Sequence, residues 1–205
     1  MLLKYLLTIF LTLALFFQSY SQGGIQFFFK FGLSDVGDEI WYETKGDLTG
    51  GLIIPVNSFW SLGGFYTQSL NGEYGIFNVN EETIDASMNE FGLISRYTVY
   101  RAGKFNFYLQ NTLTYLTVDN TENSQAEINE FVQNTQGSIH DPVLGSESSL
   151  TFGVGAGINL RVSPKIVINL FQFNLKLVEN NFMGIDDTFH KDFKIGITYQ
   201  FQKGK

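Results

Sequence analysis

The sequence predicts an all-β protein, an eight-stranded antiparallel up-and-down transmembrane β-barrel, and three observations lead to this fold class. Apolar and polar residues alternate with the two-residue period of a β-strand through most of the chain. Only 16% of the residues are charged, whereas the chain contains 21 Phe and 10 Tyr, so we expect much of its surface not to face water. There is no cysteine, which excludes disulfides and Cys-ligated metal sites.

The first segment has the layout of a secretory signal peptide. An early Lys4 precedes an apolar run at 5–17, and the small residues Ser19 and Ser21 follow it. The apolar run is too short for a comfortable membrane span. We expect residues 1–21 to be cleaved and residues 22–205 to form one barrel domain. The net charge of −7 fits a bacterial envelope protein and argues against nucleic acid as a partner.

Eight segments carry the alternation. We predict strands at 24–34, 44–56, 59–70, 89–100, 105–118, 149–163, 166–178 and 190–202. Three connections are short, at 57–58, 101–104 and 164–165, and four are long, at 35–43, 71–88, 119–148 and 179–189. Because they alternate, the short turns and both termini should lie at one end of a meander and the long loops at the other. All 20 Asp and Glu lie in or beside the long connections, which predicts an acidic pole there.

The stretch LTFGVGAGINLRV at 150–162 indicates which face of each strand meets which medium. One face carries Leu150, Phe152, Val154, Ile158, Leu160 and Val162, and the other carries Gly153, Gly155, Gly157 and Arg161. The lumen of an eight-stranded barrel holds only a packed set of side chains, so the bulky face must point outward. An apolar exterior of this size is tolerated only in lipid. In the seventh strand Ile168, Asn169 and Leu170 violate this pattern, which predicts a bulge or a different register there.

Charged residues on the inward face should pair with one another, because buried charges need partners. The predicted lumen network comprises Lys30, Lys45, Asp47, Glu90, Arg96, Arg161, Lys176, Asp192 and Lys194, with Glu43 also on the inward parity. A selective ion path is the alternative, which the narrow eight-stranded lumen disfavours. Two aromatic girdles at the membrane interfaces are predicted to include Trp41, Tyr42, Trp60, Tyr97, Tyr100 and Tyr115. The β-propensity of aromatic residues is the alternative explanation for these positions.

With these features the chain resembles the small eight-stranded outer-membrane barrels of the OmpA/OmpX type and related barrel domains common in Bacteroidetes. The resemblance covers essentially the whole mature chain. It rests on the signal segment, the eight strands, the alternation of short turns with long loops, and the final strand FKIGITYQF, which ends at Phe201. It implies an outer-membrane location with extracellular loops and periplasmic termini. We expect a monomer in contact with outer-membrane lipid and lipopolysaccharide.

The long loops are where we expect function. Loop 119–148 contains AEINEFVQN, in which Ile128, Phe131 and Val132 have helical spacing, so one or two helical turns should cap the mouth. Loop 71–88 either continues its strands above the membrane and offers an edge to a protein partner, or packs on its neighbours. We therefore predict a non-enzymatic barrel, without cofactor or metal, whose acidic loops serve surface interaction, adhesion or envelope integrity.

Three other interpretations stay open. Some small barrels of this class modify lipid A, and His140, near Ser138 and Asp141, or His190 would be the candidate residue for such chemistry; residues close in a loop do not establish a nucleophile and base. A soluble periplasmic, lipocalin-like carrier of an apolar ligand is the second. The third is a divalent cation site formed by loop residues, which lack the central Gly of a calcium loop; the candidates are Asp119, Thr121, Glu122, Asn123, Asp186 and Asp187.

Overall fold

The computed structural model describes residues 24–37, 40–70, 72–76, 83–120, 123, 125–134, 145–178 and 189–201. Ten strands and one helix lie within these ranges. They are β1 (Gln26–Gly37), β2 (Ile40–Thr44), β3 (Asp47–Pro55), β4 (Trp60–Ser69), β5 (Gly72–Ile76), β6 (Thr83–Ala102), β7 (Phe105–Asp119), α1 (Gln125–Asn134), β8 (Ser146–Arg161), β9 (Ile166–Leu177) and β10 (Phe189–Gln200). The expected signal segment 1–21 lies outside the described residues, so its cleavage stays a prediction.

Eight of these strands close into a ring. Its order is β1, β3, β4, β6, β7, β8, β9 and β10, with every neighbour antiparallel and β10 paired back to β1. Phe29 of β1 stands opposite Gly50 on one side and Ile197 on the other. The backbone N–H of Phe201 also donates to the carbonyl of Ile25 at 2.9 Å. The predicted eight-stranded up-and-down barrel is therefore confirmed.

Tight turns join the strands at one end of the ring. Between β6 and β7, Ala102 pairs with Phe105, so the loop is only Gly103 and Lys104. Gly103 has a φ of 58°, a conformation that two-residue hairpin loops require and that glycine adopts without a steric penalty. The long connections all lie at the opposite end, as the alternation of loop lengths predicts.

The two faces of the ring strands have opposite polarity. In β1, Phe27, Phe29, Phe31 and Leu33 are 44–53% exposed, whereas Lys30 is buried. In the stretch 150–162 the structure also places the bulky side chains outward: Leu150, Phe152, Val154 and Val162 are exposed, and Ile158 and Leu160 are half-buried. The wall therefore has an apolar outer belt and a mostly polar interior, in which Phe28, Ile53, Phe65 and Ile94 form one apolar cluster.

This polarity inverts near the loop end of the ring. In β6, Phe91 faces outward and Glu90 inward, but six positions earlier Asp85 faces outward and Ile84 inward. The same reversal occurs in β7, where outward Tyr115 gives way to the polar Thr117 while inward Leu116 and Val118 are apolar. We call this level the polarity boundary. β2, β5, α1 and the loop-side ends of the ring strands lie beyond it and are named the crown.

β2 and β5 show that the first two long connections form part of the wall. β2 pairs with the end of β1 and with β5, and β5 pairs with the first residues of β6. β6 accordingly begins at Thr83, earlier than the predicted strand at 89–100. Loop 71–88 thus continues its strands above the boundary, and both edges of β5 are occupied by neighbouring strands.

The passage from β2 to β3 changes the face on which side chains lie. Tyr42 and Thr44 are buried in β2, and Asp47 and Thr49 are buried in β3, so the inward parity switches from even to odd at Lys45 and Gly46. β4 and β5 have a matching break, because Leu70 lies between them and its N–H donates to the carbonyl of Gly46 at 2.8 Å. These two breaks lie side by side at the polarity boundary.

The seventh ring strand, β9, contains the bulge that the irregular sequence predicts. The register with β10 shifts between Lys194 and Gly196, which stand opposite Gln172 and Asn169. The two residues between them on β9, Leu170 and Phe171, therefore face the single residue Ile195. Both can point outward, and Asn169 is buried although its parity by simple alternation is outward.

Candidate functional site

The barrel interior is the strongest concentration of charge among the described residues, and Lys176 lies at its centre. Its Nζ is 2.5 Å from Glu90 Oε1 and 2.6 Å from Asp192 Oδ2. All three side chains are at most 1% exposed. The Lys176–Asp192 pair joins the neighbouring strands β9 and β10, whereas the Lys176–Glu90 pair connects β9 to β6, which is not its neighbour in the ring.

A second lysine extends this network toward β3. Lys194 Nζ is 3.6 Å from Asp47 Oδ1 and 3.9 Å from Asp192 Oδ2, and it donates to Thr67 Oγ1 at 3.3 Å. Asp47 also accepts a hydrogen bond from Ser34 Oγ at 2.7 Å. Two lysines and three carboxylates thus share charge within one buried layer, which we name the ionic layer.

Below the ionic layer, toward the short turns, the cations meet neutral partners. Lys30 donates to Gln172, and Arg96 donates to Gln110 Oε1 from Nη2 at 3.1 Å. The Arg96 guanidinium also lies 4.1 Å from the centre of the Tyr108 ring, within the range of a cation–π interaction. Amide oxygens and an aromatic ring, rather than carboxylates, therefore solvate these two charges.

Glycines provide the space for the lysine side chains. Gly153 stands opposite Lys176 and Gly32 opposite Lys194 in the strand register. A Cβ atom on Gly153 would lie 2.6 Å from Lys176 Cγ, closer than van der Waals contact allows. The lysine stems therefore lie directly over a neighbouring backbone that has no side chain.

The interior is filled. The cavity in the middle of the barrel, lined by Phe28, Lys30, Thr49, Phe65, Gln110, Asp192, Lys194 and others, has a volume of about 10 Å³. This is roughly the space that one water molecule needs. The packed core leaves no continuous open path at this level of the described structure.

The crown has an apolar core. Ten buried side chains form it: Val36, Tyr42, Tyr74, Ile84, Ala86, Met88, Leu116, Val118, Phe131 and Val178. Phe131 belongs to α1, and its ring centre lies 6.4 Å from that of Tyr74. Asn123 Nδ2 donates to the carbonyl of Asp85 at 2.7 Å and so ties the start of α1 to the end of β6. A helix is thus present where the sequence predicts one, and it packs on the crown core through Phe131, although Val132 is 37% exposed.

Three of the predicted site positions are wrong. Lys45 and Glu43 are exposed instead of inward, and Tyr42 is buried in the crown core instead of forming a girdle. The parity switch at Lys45 and Gly46 explains all three positions, because simple alternation from Asp47 assigns odd residues of β2 to the lumen. Lys45 pairs with Glu73 in the crown, and this carboxylate raises the pKa of the lysine.

Arg161 also differs from its prediction. It is the last residue of β8, and its side chain is exposed at the short-turn mouth instead of packed within the charge network. The remaining members of the network, Lys30, Asp47, Glu90, Arg96, Lys176, Asp192 and Lys194, all lie buried inside the ring.

The predicted girdle residues lie at two levels of the outer surface. Trp60, Tyr97 and Tyr100 are exposed near the short turns, and Tyr115 is exposed just below the polarity boundary. Trp60 Nε1 donates to Ser95 Oγ at 2.9 Å, so its polar atom has a partner on an otherwise apolar surface. The side chain of Trp41 lies outside the described residues.

Sequence reasoning missed the neutral members of the interior. Gln110 donates to Asn174, Asn174 donates to Asp192 Oδ1 at 2.5 Å, and Tyr108 donates to Gln172 at 3.1 Å. A search for charges overlooks these residues. Their position on the inward parity, next to glycines and lysines, is the signal that would have found them.

The candidate loop chemistry falls mostly outside the described residues. Ser138, His140 and Asp141, and the possible cation ligands Thr121, Glu122, Asp186 and Asp187, lie there. No group of three or more His, Cys, Asp or Glu suited to a metal ion occurs in the part of the chain that the structure describes. Within that part, no helix is long and apolar enough to cross a membrane.

Several solved structures are similar to this chain. Neisserial surface protein A (NspA) has a TM-score of 0.60 at 10% identity, over 88% of this chain and 98% of that one. The outer membrane protein OprG of Pseudomonas aeruginosa has a TM-score of 0.56 at 12% identity, over 90% and 99%. The N-terminal β-barrel domain of Pseudomonas aeruginosa OprF has a TM-score of 0.53 at 15% identity, over 88% and 100%.

The likeness is one of fold. No protein-family model matches the chain, and no curated protein matches it in sequence. The aligned regions cover nearly the whole length of each matched structure. The apolar belt and the mostly polar interior of this chain are what a barrel in lipid requires. The chain therefore has the fold of the small eight-stranded transmembrane β-barrels of the outer membrane, as its resemblance to the OmpA/OmpX type predicts.

Proposed function

We propose that this protein is a non-enzymatic, non-conducting barrel of the bacterial outer membrane that presents an acidic, structured crown at the cell surface. The observation that carries the proposal is the polarity boundary. Below it the wall is apolar outside and polar inside, as lipid demands, and beyond it the wall is polar outside and apolar inside, as water demands. One molecule thus presents a surface for each medium.

The location is tested by fractionation and by gel mobility. Folded outer-membrane barrels migrate differently before and after boiling, so the unheated protein from the outer-membrane fraction should show a heat-dependent shift. A protein recovered from the soluble periplasm without detergent would support the lipocalin-like carrier instead. The exposed belt of Phe, Leu, Ile and Val side chains argues against that carrier, because such a belt in water would aggregate.

We further propose that the crown faces the outside of the cell and that both termini face the periplasm. The described chain begins and ends at the short-turn end of the ring, where Ile25 and Phe201 are hydrogen-bonded. A protease site inserted after Asn134 should be cut in intact cells, whereas one inserted at Ser58 should be cut only after the outer membrane is opened. The reverse result would invert the orientation.

Absence of conduction follows from the filled interior. A void of about 10 Å³ at mid-barrel leaves no room for a hydrated ion. Purified protein in planar lipid bilayers should therefore give no steady single-channel steps. Stable steps of defined size would show that the ionic layer opens, and would favour the selective ion path.

The crown is the proposed interaction surface, and its partner should be basic. Glu43, Asp85, Glu127 and Glu130 are all exposed on it, and an acidic surface attracts cationic partners in a salt-dependent manner. Because both edges of β2 and of β5 are paired, these strands would recognise a partner through side chains rather than by strand addition.

This interaction is tested with a loop-replaced variant. Residues 121–144 are exchanged for a short Gly–Ser linker, and binding of cells to a surface coated with basic protein is compared with that of cells carrying the full loop. Loss of binding with an unchanged heat-dependent gel shift would place the interaction in the crown. Equal binding by both strains would remove the loop from the proposal. A second variant, Glu127→Gln with Glu130→Gln, separates the charge from the loop itself.

An enzyme that modifies lipid A is the second candidate function. One observation argues against His190 as its catalytic residue. His190 is fully buried, and neither of its ring nitrogens has a hydrogen-bond partner among the described residues, so no base or nucleophile is hydrogen-bonded to it there. Mass spectrometry of lipid A from cells with the protein, without it, or with His140→Ala or His190→Ala decides the matter. Identical lipid A in all strains would exclude the activity.

A further inference from the structure

Two sets of cations occupy opposite ends of the barrel interior. Lys176 and Lys194 are paired with the carboxylates of the ionic layer. At the short-turn end, Arg96, Arg101 and Arg161 line one cavity of about 250 Å³, and no Asp or Glu is among its lining residues. None of these three arginines forms an ion pair with any residue that the structure describes.

Among the three arginines, the absence of an ion pair costs most at Arg96, because Arg96 is buried. It is 6% exposed, and its Nε and Nη2 both donate to the single atom Gln110 Oε1, at 3.4 and 3.1 Å. A guanidinium group has five N–H donors and a full positive charge, and a neutral amide oxygen leaves that charge without a counterion. A buried cation in this situation is costly unless an anion accompanies it.

The other two arginines are placed at the rim of the same cavity. Arg101 donates from Nη2 to the carbonyl of Ser58 and lies 5.5 Å from the Phe59 ring, so its position is defined. Arg161 is exposed, with no side-chain hydrogen bond to any described residue. Neutral side chains that can donate hydrogen bonds complete the lining, among them Asn57, Ser61, Asn106 and Asn159.

We propose that this short-turn cavity binds a phosphate group. Planar guanidinium groups match the oxygens of phosphate and carboxylate equally well in shape. Three arginines at one cavity favour phosphate, because a phosphate monoester carries a charge of about −1.5 to −2 at neutral pH and three acceptor oxygens. The cavity volume of about 250 Å³ leaves room for a phosphate group.

Two sources would supply this group, namely free inorganic phosphate and the headgroup of a phospholipid. The experiment uses the mature chain in maltoside micelles, which contain no phosphate, at constant ionic strength. Sodium phosphate and dihexanoyl phosphatidic acid are titrated separately by calorimetry. The test variant is Arg161→Gln. The matched control is Lys104→Gln, which removes an exposed charge from the same end of the barrel but does not line the cavity.

We expect saturable binding that Arg161→Gln weakens about tenfold or more, equal to about 1.4 kcal/mol, and that Lys104→Gln changes less than about twofold. Binding of inorganic phosphate would identify a soluble source, and binding of phosphatidic acid alone would identify a lipid headgroup. Absence of binding by both probes overturns the proposal. An equal effect of the two variants also overturns it, because it would reveal only general attraction to a basic rim. Heat-dependent gel mobility confirms that each variant is folded.

Discussion

The membrane wall and the crown share the ring strands, of which β6 and β7 run through both, but the two regions have opposite polarity. In β6 the wall places Phe91 and Leu93 outside and Glu90 and Arg96 inside, whereas the crown places Asp85 outside and Met88 inside. In β6 the two-residue period is continuous across the boundary. The comparison teaches that alternation specifies a strand and its two faces, whereas the surrounding medium decides which face is the core.

The largest effect is expected inside the wall. Lys176→Met would leave Glu90 and Asp192 buried without their main cation, which costs about 3–5 kcal/mol of the free energy of unfolding. Urea unfolding in lipid vesicles measures it. Lys191→Met is the matched control, because Lys191 is exposed and lies 3.8 Å from Asp35, and its loss should cost less than about 1 kcal/mol. Equal losses in the two variants would contradict the assignment of the ionic layer.

The next effect is expected on the outer face of the wall. Leu113→Arg places a charge on the apolar belt of β7 and should cost about 2–4 kcal/mol if Leu113 lies near the middle of the lipid. Thr117→Arg, on the same strand and face but beyond the polarity boundary, should cost about 0–1 kcal/mol. The free energies of unfolding of both variants, measured in lipid vesicles, locate the boundary along β7. A larger cost at Thr117 would place the membrane elsewhere.

A smaller effect is expected when a methyl group is added to the inner or to the outer face of the wall, because only the inner face is closely packed. Gly196→Ala would bring a Cβ to 2.7 Å from the Lys30 backbone inside the barrel, and overpacking of this kind costs about 1–3 kcal/mol. Gly50 has no atom within 4 Å of an added Cβ. Gly50→Ala should therefore be neutral, or stabilising by about 0.4–1 kcal/mol through the unfolded chain. Thermal unfolding in micelles compares them, and an equal loss at both sites would contradict the close packing of the interior.

The smallest effect on the barrel as a whole is expected in the crown. Phe131→Ala removes the buried anchor of α1, and a ten-residue helix is marginal without packing. Amide hydrogen exchange should rise throughout α1 while β7 and β8 stay protected. Val132→Ala, at a position 37% exposed, serves as the control. Faster exchange throughout the ring strands would show that the crown core supports the barrel itself.

Much of the fold could be predicted because lipid and a narrow lumen impose simple rules. The outward Phe and Leu of β1, the inward glycines of β8 and the tight turn at Gly103 each follow from period, volume or backbone conformation. The residues inside the wall were found for the same reason. Lys30, Glu90 and Lys176 are charged residues that alternate with bulky apolar residues. Because the bulky residues do not fit inside the narrow lumen, the charged ones must point inward.

Apart from Arg161, which lies at the end of β8 and is exposed there, the errors come from places where the period is interrupted. Gly46 marks a break at which the inward parity changes, and Tyr42 and Lys45 were therefore assigned to the wrong faces. The polarity of the residues does not reveal this change of parity. Apolar residues face outward in the wall but inward in the crown, and this reversal occurs at the same level as the break. The bulge at Leu170 was detectable, because Asn169 and Leu170 violated the pattern within a single strand.

Closure of the ring by β1 and β10 has a consequence for biogenesis. The first and last strands pair along their whole length, from Gln26 with Gln200 to Val36 with His190. Until the end of the polypeptide has been made, the nascent sheet has two unsatisfied margins, which hydrocarbon does not accept. A closed barrel therefore requires both β1 and β10, and we expect the chain to insert into lipid only after its synthesis has passed Gln200.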